Sequence, residues 1–378
     1  MIVGVLREAH LRENRVALLP EQVARLAHAG ASMVVQSGIG HSLGISDESY
    51  SNAGASVLTD RKNLLQNADL VLSIRGPSQE EVLGLKHDAI CINLMDPFRE
   101  KTMVETLRDQ SVSSLSLEMI PRITRAQKMD VLSSQANLAG YVAVIVAAER
   151  LGKIFPMMMT AAGTISPARV FIVGAGVAGL QAIATAKRLG ARVEAFDTRP
   201  EVEEQVKSLA ARFVRIDLGE AGQTHGGYAK ALTEEQLAVQ RSAMARVCAA
   251  SDVVITTAQV FGRKAPLIIT EEMVKGMAKG SVIVDCAVES GGNVAGSRPD
   301  DEVDVDGVLV IGLENLPGRV AVHASQMFSA NMFNLVIEYW NPEDRWFRMN
   351  FNDEIIRGCL ITHQGKIVNE TISKHYSG

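Results

Sequence analysis

Gly174-Ala175-Gly176-Val177-Ala178-Gly179 sets three glycines at the spacing GxGxxG. The six residues follow a β-branched run, RVFIV (169–173), and open a stretch of good helix formers, LQAIATAKRLG. Glycine in the first place permits a tight turn. In the second it lets backbone N–H groups approach a pyrophosphate, and in the third it lets the helix pack closely on the strand. The positive end of the helix would then meet the phosphate charge. Asp197 ends the next strand, RVEAF (192–196), eighteen residues after Gly179. There a carboxylate can accept hydrogen bonds from ribose hydroxyls and repel a 2′-phosphate, which selects NAD(H) over NADP(H). Thr198 and Arg199 follow it, and Thr257 and Ala258 lie at the end of the later strand DVVITT (252–257); all four count among the cofactor-binding positions. Asp197 could instead cap a helix starting at Pro200, and Arg199 could serve a 2′-phosphate. Both readings rank below the complete pattern.

A second polar group lies in PRITRAQKMDVLSSQANLAGY (121–141), where Arg122, Gln127, Asp130 and Ser133 fall close together. Gln127, Asp130 and Ser133 recur every three residues, so a turn could present them on one side to a carboxamide or a ribose. On spacing alone, a polar helix start with Asp130 and Ser133 as caps is the better reading. No His-x-x-x-His, carboxylate cluster or cysteine–histidine grouping offers a metal ligand set, so no metal is expected. His10, His28 and His41 read as surface or packing residues.

The elements that must hold these groups fall into two series. Residues 1 to 118 alternate β-rich runs (MIVGV, SMVVQ, ADLVLSI, AICINL, VSSLSLE) with helical ones such as PEQVARLAHAG, the rhythm of a parallel sheet covered by helices. Residues 133 to 152 read as a helix with a glycine stop at Gly152, long enough to bridge two domains. Strands RVFIV, RVEAF, DVVITT, SVIVDCAV (281–288) and GVLVIGL (307–313) follow, with helices expected at 177–189, 200–209, 233–250 and 270–278, the last capped by Thr270. Residues 320 to 340 read as one long apolar-striped helix, and LITHQGKIV as a hairpin turning near Gln364–Gly365. The glycine-rich stretch Gly219–Gly227 is expected to begin a mobile loop that runs through Tyr228.

The expected fold class is therefore α/β, two Rossmann-like domains with doubly wound parallel sheets. Residues 1–132 plus 325–378 would form a first, discontinuous domain and 133–324 the NAD(H)-binding domain, with the nucleotide in the cleft. The 378 residues are 47% hydrophobic and 21% charged, as in ordinary globular proteins. A net charge of -5 gives no basic excess to attract nucleic acid. Cys91, Cys248, Cys286 and Cys359 are scattered and read as reduced thiols. Charged residues within the first twenty rule out a signal-peptide h-region, and uninterrupted apolar runs such as Tyr141–Ala148 fall short of the ~20 residues of a membrane helix. The chain is expected to be soluble.

ENRVALLP (13–20), PRITRAQ, LSSQANLAGY, AGVAGLQAIATAKRLGA (175–191), FDTRPEVEEQV (196–206), GGYAK (226–230), GSVIVD (280–285) and LPGRV (316–320) span the chain in order. Together they resemble the NAD(H)-binding domain of proton-translocating NAD(P) transhydrogenase. The resemblance implies that Arg122, Gln127 and Asp130, with Ser133 beside them, surround the nicotinamide and its ribose as the catalytic group. It also implies that the glycine-rich stretch and Tyr228 close over bound nucleotide. Hydride would pass directly from NADH to NADP+ held on a separate NADP-binding domain, coupled to proton movement through a membrane-embedded partner. A homodimer on the cytoplasmic face of the membrane is implied as well.

Alanine dehydrogenase shares the implied fold and is the competing resemblance. Its substrate-binding arginine corresponds to Arg15 and its substrate-binding lysine to Arg75. The histidine expected near AICINLMDPF is missing, since none occurs between His87 and His225, and the aspartate expected in DCAVESGG is replaced by Glu289. Reducing an imine requires a positioned proton donor; passing a hydride between two nicotinamides does not.

Overall fold

The computed structural model describes residues 1–217 and 233–377. The chain forms two compact units, Met1–Gln135 with Gly318–Gly378, and Ala136–Pro317.

In the first unit the strands lie in the order Lys366–Ile367, Leu360–His363, Ser113–Ser116, Ile90–Leu94, Leu70–Arg75, Ile2–Val5, Ser32–Gln36, Ser56–Leu58. The six strands from the N-terminal segment run parallel. Parallel neighbours need crossovers, which bury both sheet faces, and the central strand LVLSIR is accordingly buried through its first five residues. The C-terminal chain closes one edge: Leu360–His363 runs antiparallel to Ser113–Ser116 and pairs in a hairpin with Lys366–Ile367. Gln364 and Gly365, at φ 45° and 71°, make the turn where the sequence placed it.

Helix Ala321–Glu338 buries Phe328, Met332, Leu335 and Val336, one apolar stripe, in the same core as Val3, Val5 and Leu72. Its Ser325 and Ser329 hydroxyls accept from the N–H groups of Val16 and Leu19, each at 2.9 Å, and so fix the segment that follows the first strand.

The second unit orders its strands Arg212–Phe213, Arg192–Phe196, Arg169–Val173, Val253–Thr256, Val282–Asp285, Val308–Gly312, Asp301–Val305. All run parallel except Asp301–Val305, which pairs antiparallel with Val308–Gly312. That edge strand was not expected from its acidic sequence DEVDV. Its turn, Asp306-Gly307 with φ 55° and 86°, is the dipeptide that left-handed two-residue hairpin turns favour. The helix expected over 200–209 is split into a 3₁₀ turn, Pro200–Val202, and an α-helical turn, Glu203–Ser208. A second unexpected feature is a hairpin of Met158–Thr160 with Gly163–Ile165, exposed along both strands.

The chain passes between the units within helix Val131–Arg150, which is long and apolar enough to cross a membrane by length and composition alone. Val142, Ala143, Val144 and Ala147 are buried in it, as in the core helix of a globular unit.

Candidate functional site

The strand order of the second unit reverses between Arg169–Val173 and Val253–Thr256, neighbours whose crossovers lead to opposite sides of the sheet. Crevices at the carboxyl ends of strands at such a switch point hold ligands. The glycine turn lies there. Gly174 has φ 94°, and a Cβ on it would stand 2.7 Å from Thr257 Oγ1; one on Gly179 would stand 1.8 Å from the carbonyl oxygen of Gly174. Both places admit glycine alone. A Cβ on Gly176 would meet nothing within 4 Å. The middle glycine therefore borders open space at the N-terminus of helix Val177–Arg188, a cradle that a pyrophosphate fits.

Thr257 Oγ1 donates to the Gly174 carbonyl at 3.0 Å and thereby ties the two switch-point strand ends together. Ala258 is clamped on both backbone groups by Asn293: its N–H donates to Oδ1 at 3.1 Å, and its carbonyl accepts from Nδ2 at 2.9 Å. The same Nδ2 donates to the Pro266 carbonyl at 2.8 Å. Asn293 is itself held by fully buried Asp285, whose carboxylate accepts from the N–H groups of Asn293 and Ala287, each at 2.9 Å. Sequence reasoning gave Asn293 no role. An Asp at a strand end followed eight residues later by an Asn carries no periodic signal.

Asp197 stands at the end of Arg192–Phe196, as its position in the sequence predicts. One carboxylate oxygen accepts from the Ala175 N–H at 2.8 Å, which brings the acidic residue onto the glycine turn itself. The rest of the carboxylate is engaged by Arg199, through its N–H at 2.9 Å, Nε at 2.9 Å and Nη2 at 2.8 Å. These hydrogen bonds raise the arginine's pKa further. Thr198, half-buried, lies between the two. Tyr228 and the glycine-rich stretch lie outside the described residues.

The other sequence-derived group lies in the first unit. Thr124–Met129 form a 3₁₀ helix leading to Asp130, whose carboxylate accepts from the Ser133 N–H at 2.9 Å and the Ser133 Oγ–H at 2.6 Å. Asp130 therefore caps helix Val131–Arg150 with Ser133 as its partner. Gln127 and Arg122 are both exposed. The 3₁₀ segment is anchored by the Lys128 carbonyl, which accepts from the carboxamides of Asn331 and Asn334 at 2.9 and 3.0 Å. Arg125 in the same segment is committed to Asp353 at 2.6 Å. Among the described residues, no three His, Cys, Asp or Glu side chains gather as a metal site would require.

Residues 4–139 match the alanine dehydrogenase/PNT N-terminal domain family, and residues 143–370 the matching C-terminal domain family. Over 380 residues the chain is 41% identical to an NAD(P) transhydrogenase alpha-subunit chain of Rhodospirillum rubrum, covering 99% of both chains. The chain belongs to the alanine dehydrogenase/PNT family, in its transhydrogenase branch. It is an oxidoreductase of that family. NAD(P) transhydrogenase subunit alpha of Cereibacter sphaeroides is likewise 41% identical, with 97% of this chain and 71% of that one covered. The solved transhydrogenase structure from Sinorhizobium meliloti superposes with a TM-score of 0.87 at 41% identity, covering 97% of this chain and all of the other. The alanine dehydrogenase of Bacillus subtilis is 28% identical over 85% of this chain and 80% of its own length. A solved L-alanine dehydrogenase, 24% identical, shares the fold at a TM-score of 0.83.

Two of the positions that the alanine dehydrogenase resemblance singles out, Arg15 and Arg75, share the Glu13 carboxylate. Arg15 donates Nε and Nη2 to the two oxygens of Glu13 at 2.7 and 2.6 Å, and Nη1 to Gln135 at 2.8 Å; all three residues are buried. Arg75 Nε stands 3.5 Å from Glu13. Burial opposes ionisation of Glu13, but the Arg15 hydrogen bonds and charge overcome it and hold the carboxyl below the usual range. At the end of Ile90–Leu94, where a catalytic histidine would be needed, stand Met95 and Asp96, whose N–H donates to Glu118 at 2.9 Å. Glu289 accepts from the Asn315 N–H at 3.4 Å.

Proposed function

We propose that the chain is the NAD(H)-binding component of a proton-translocating transhydrogenase. NADH bound on the second unit gives its C4 hydride directly to the nicotinamide C4 of NADP+ held by a separate partner domain, leaving NAD+ and NADPH. The observation that carries this reading is the switch-point site: a glycine turn open at Gly176, closed at Gly174 and Gly179, with Asp197 fastened to it through Ala175. Gly174 to Gly179 and the N-terminus of the following helix would hold the pyrophosphate, and Asp197 the adenosine ribose. Thr198, Arg199, Thr257 and Ala258 line the remainder, and Tyr228 is assigned to the bound nucleotide on the resemblance alone. Arg122, Gln127, Asp130 and Ser133 orient the nicotinamide. Hydride transfer between two nicotinamides leaves no alkoxide or amide anion to protonate, and the chain supplies no histidine between residues 87 and 225 to do so.

The reaction is coupled to proton movement by a membrane-embedded partner, and the chain works as a homodimer on the cytoplasmic face. The exposed hairpin supports self-association. Met158, Met159 and Ile165 lie open on a two-stranded ribbon, which is marginal in water unless another surface covers it.

Alanine dehydrogenase activity is the second reading, favoured by the shared fold. The missing proton donor opposes it, because no histidine occurs between His87 and His225 and Glu289 stands where the aspartate is expected. One reconstitution separates the two. Mixed with an NADP-binding transhydrogenase domain, the protein is expected to transfer hydride from NADH to NADP+ and to leave NADH unchanged with pyruvate and ammonia. The reverse result overturns the proposal.

A further inference from the structure

The Asp197 carboxylate is fully engaged by its own chain. One oxygen accepts from the Ala175 N–H and Arg199 Nη2, the other from the Arg199 N–H and Nε, all at 2.8 to 2.9 Å. A carboxylate offers about four acceptor positions, so these four donors fill it. The pair is sheltered, with side-chain exposures of 6% for Asp197 and 15% for Arg199, and is not a solvated surface contact. Two of the donors are backbone amides, fixed by the glycine turn and by the turn at Thr198. The other two belong to a guanidinium on a flexible stem.

A ribose diol approaching this carboxylate can therefore gain acceptors only from the guanidinium. We propose that Arg199 is a specificity-determining competitor of the nucleotide: its guanidinium holds the acceptor positions that the adenosine ribose hydroxyls require, so that binding exchanges one donor pair for another. The inference rests on the NAD(H) reading of this site. Two consequences follow from the exchange. The ribose gains only the difference between its own hydrogen bonds and the charge-assisted ones it breaks, so Arg199 weakens NADH binding and speeds release. The displaced guanidinium stays tethered two residues from Asp197, close to where a 2′-phosphate would project, so it also softens discrimination against NADPH.

The test is calorimetric titration of Arg199→Ala and Arg199→Lys with NADH, NADPH and reduced nicotinamide mononucleotide at one ionic strength. The mononucleotide lacks the adenosine ribose and reports the loss of long-range attraction alone. Relative to that reference, Arg199→Ala is expected to tighten NADH about threefold or more and to weaken NADPH by a similar factor. Lysine keeps the charge without the fork and should fall between alanine and arginine for NADH. NADH affinity that is unchanged or weaker in Arg199→Ala, on the same scale, overturns the inference while leaving NAD(H) binding intact. Failure of the unmutated protein to bind NADH overturns the functional reading itself.

Discussion

Gly140 faces the backbone of Ala178 so closely that a Cβ on it would stand 2.1 Å from the Ala178 carbonyl oxygen. The contact seats helix Val131–Arg150 against the first turn of Val177–Arg188, the helix whose N-terminus borders the glycine turn. Alanine ordinarily favours a helix over glycine by about 1 kcal/mol, but here the obstacle is backbone, which cannot rotate away. Overpacking of this kind costs ~1–3 kcal/mol, so Gly140→Ala should lower the melting temperature by several degrees and weaken NADH binding along with it. Thermal unfolding followed by circular dichroism, paired with NADH titration, checks this. A variant as stable as its parent would show that the two helices can slide apart freely.

NADH should bind at least ~tenfold tighter than NADPH, a difference of only ~1.4 kcal/mol, because a 2′-phosphate must approach the Asp197 carboxylate. Asp197→Ala also removes the acceptor of the Ala175 N–H, so NADH should weaken while the gap to NADPH narrows. Equal affinities in the unmutated protein, measured by calorimetry at one ionic strength, would sink the assignment of Asp197 to the ribose.

Arg122→Ala, Gln127→Asn and Asp130→Asn should slow hydride transfer far more than they weaken NADH binding. Misplacing reacting atoms by about an ångström can cost ~10²-fold in rate, whereas one lost neutral hydrogen bond costs roughly 0.5–1.5 kcal/mol in binding. Asp130 also caps a helix through Ser133, and asparagine caps about as well as aspartate. Asp130→Asn therefore isolates the charge, while Asp130→Ala should lose ~1 kcal/mol of stability as well. Single-turnover transfer to an NADP analogue on a reconstituted partner is the measurement. Unmutated rates in all three variants would reduce the segment to a helix start.

Glu8 sets a pH dependence in the first unit. Its carboxylate accepts from the N–H groups of Ile74 and Arg75 at 2.7 and 3.0 Å, and burial pushes its pKa up to about 7 against those hydrogen bonds. A pKa raised on folding means that the folded protein binds more protons, so this contribution stabilises at acid pH and is lost as pH rises from about 4.5 to about 7. Glu8 is only partly buried, and with solvent screening the loss is ~1–3 kcal/mol. Glu8→Gln should flatten the denaturant-midpoint profile across that window. An unchanged slope would show that the proton is taken up elsewhere.

The glycine turn of the candidate site was legible because its signals are local. A strand, three glycines, a helix and Asp197 lie within 29 residues, and each glycine answers to a backbone contact that excludes or spares a Cβ. Helix starts at Thr233 and Thr270 were legible for the same reason, both hydroxyls accepting from the backbone three residues on. Interactions between segments were not. Nothing in the spelling of DTR states that the arginine folds back onto the aspartate, or that Asn293 reaches Ala258 across 35 residues. The hairpin at Met158–Thr160 escaped because MMT and GTI lack the alternation of a half-buried strand. In the polar segment, spacing alone pointed to a cap, and the cap is there. A caps-or-catalysis choice was never exclusive, since one carboxylate oxygen pair can serve a helix and still face a ligand.

The antiparallel closure of the first sheet has a consequence for how the protein is made. Ser114 waits 248 residues for Thr362, its hydroxyl partner at 2.7 Å. At ~5–20 residues per second a ribosome needs roughly 12–50 s to deliver it. During that interval the contiguous second unit, Ala136–Pro317, emerges whole and can fold, while the unit that began first stays unfinished. Birth order and completion order are thus reversed, and a stalled or clipped chain leaves an open sheet edge behind it. The strand on that edge reads Ser-Ser-Leu-Ser, which offers a passing nascent chain very little grease to stick to.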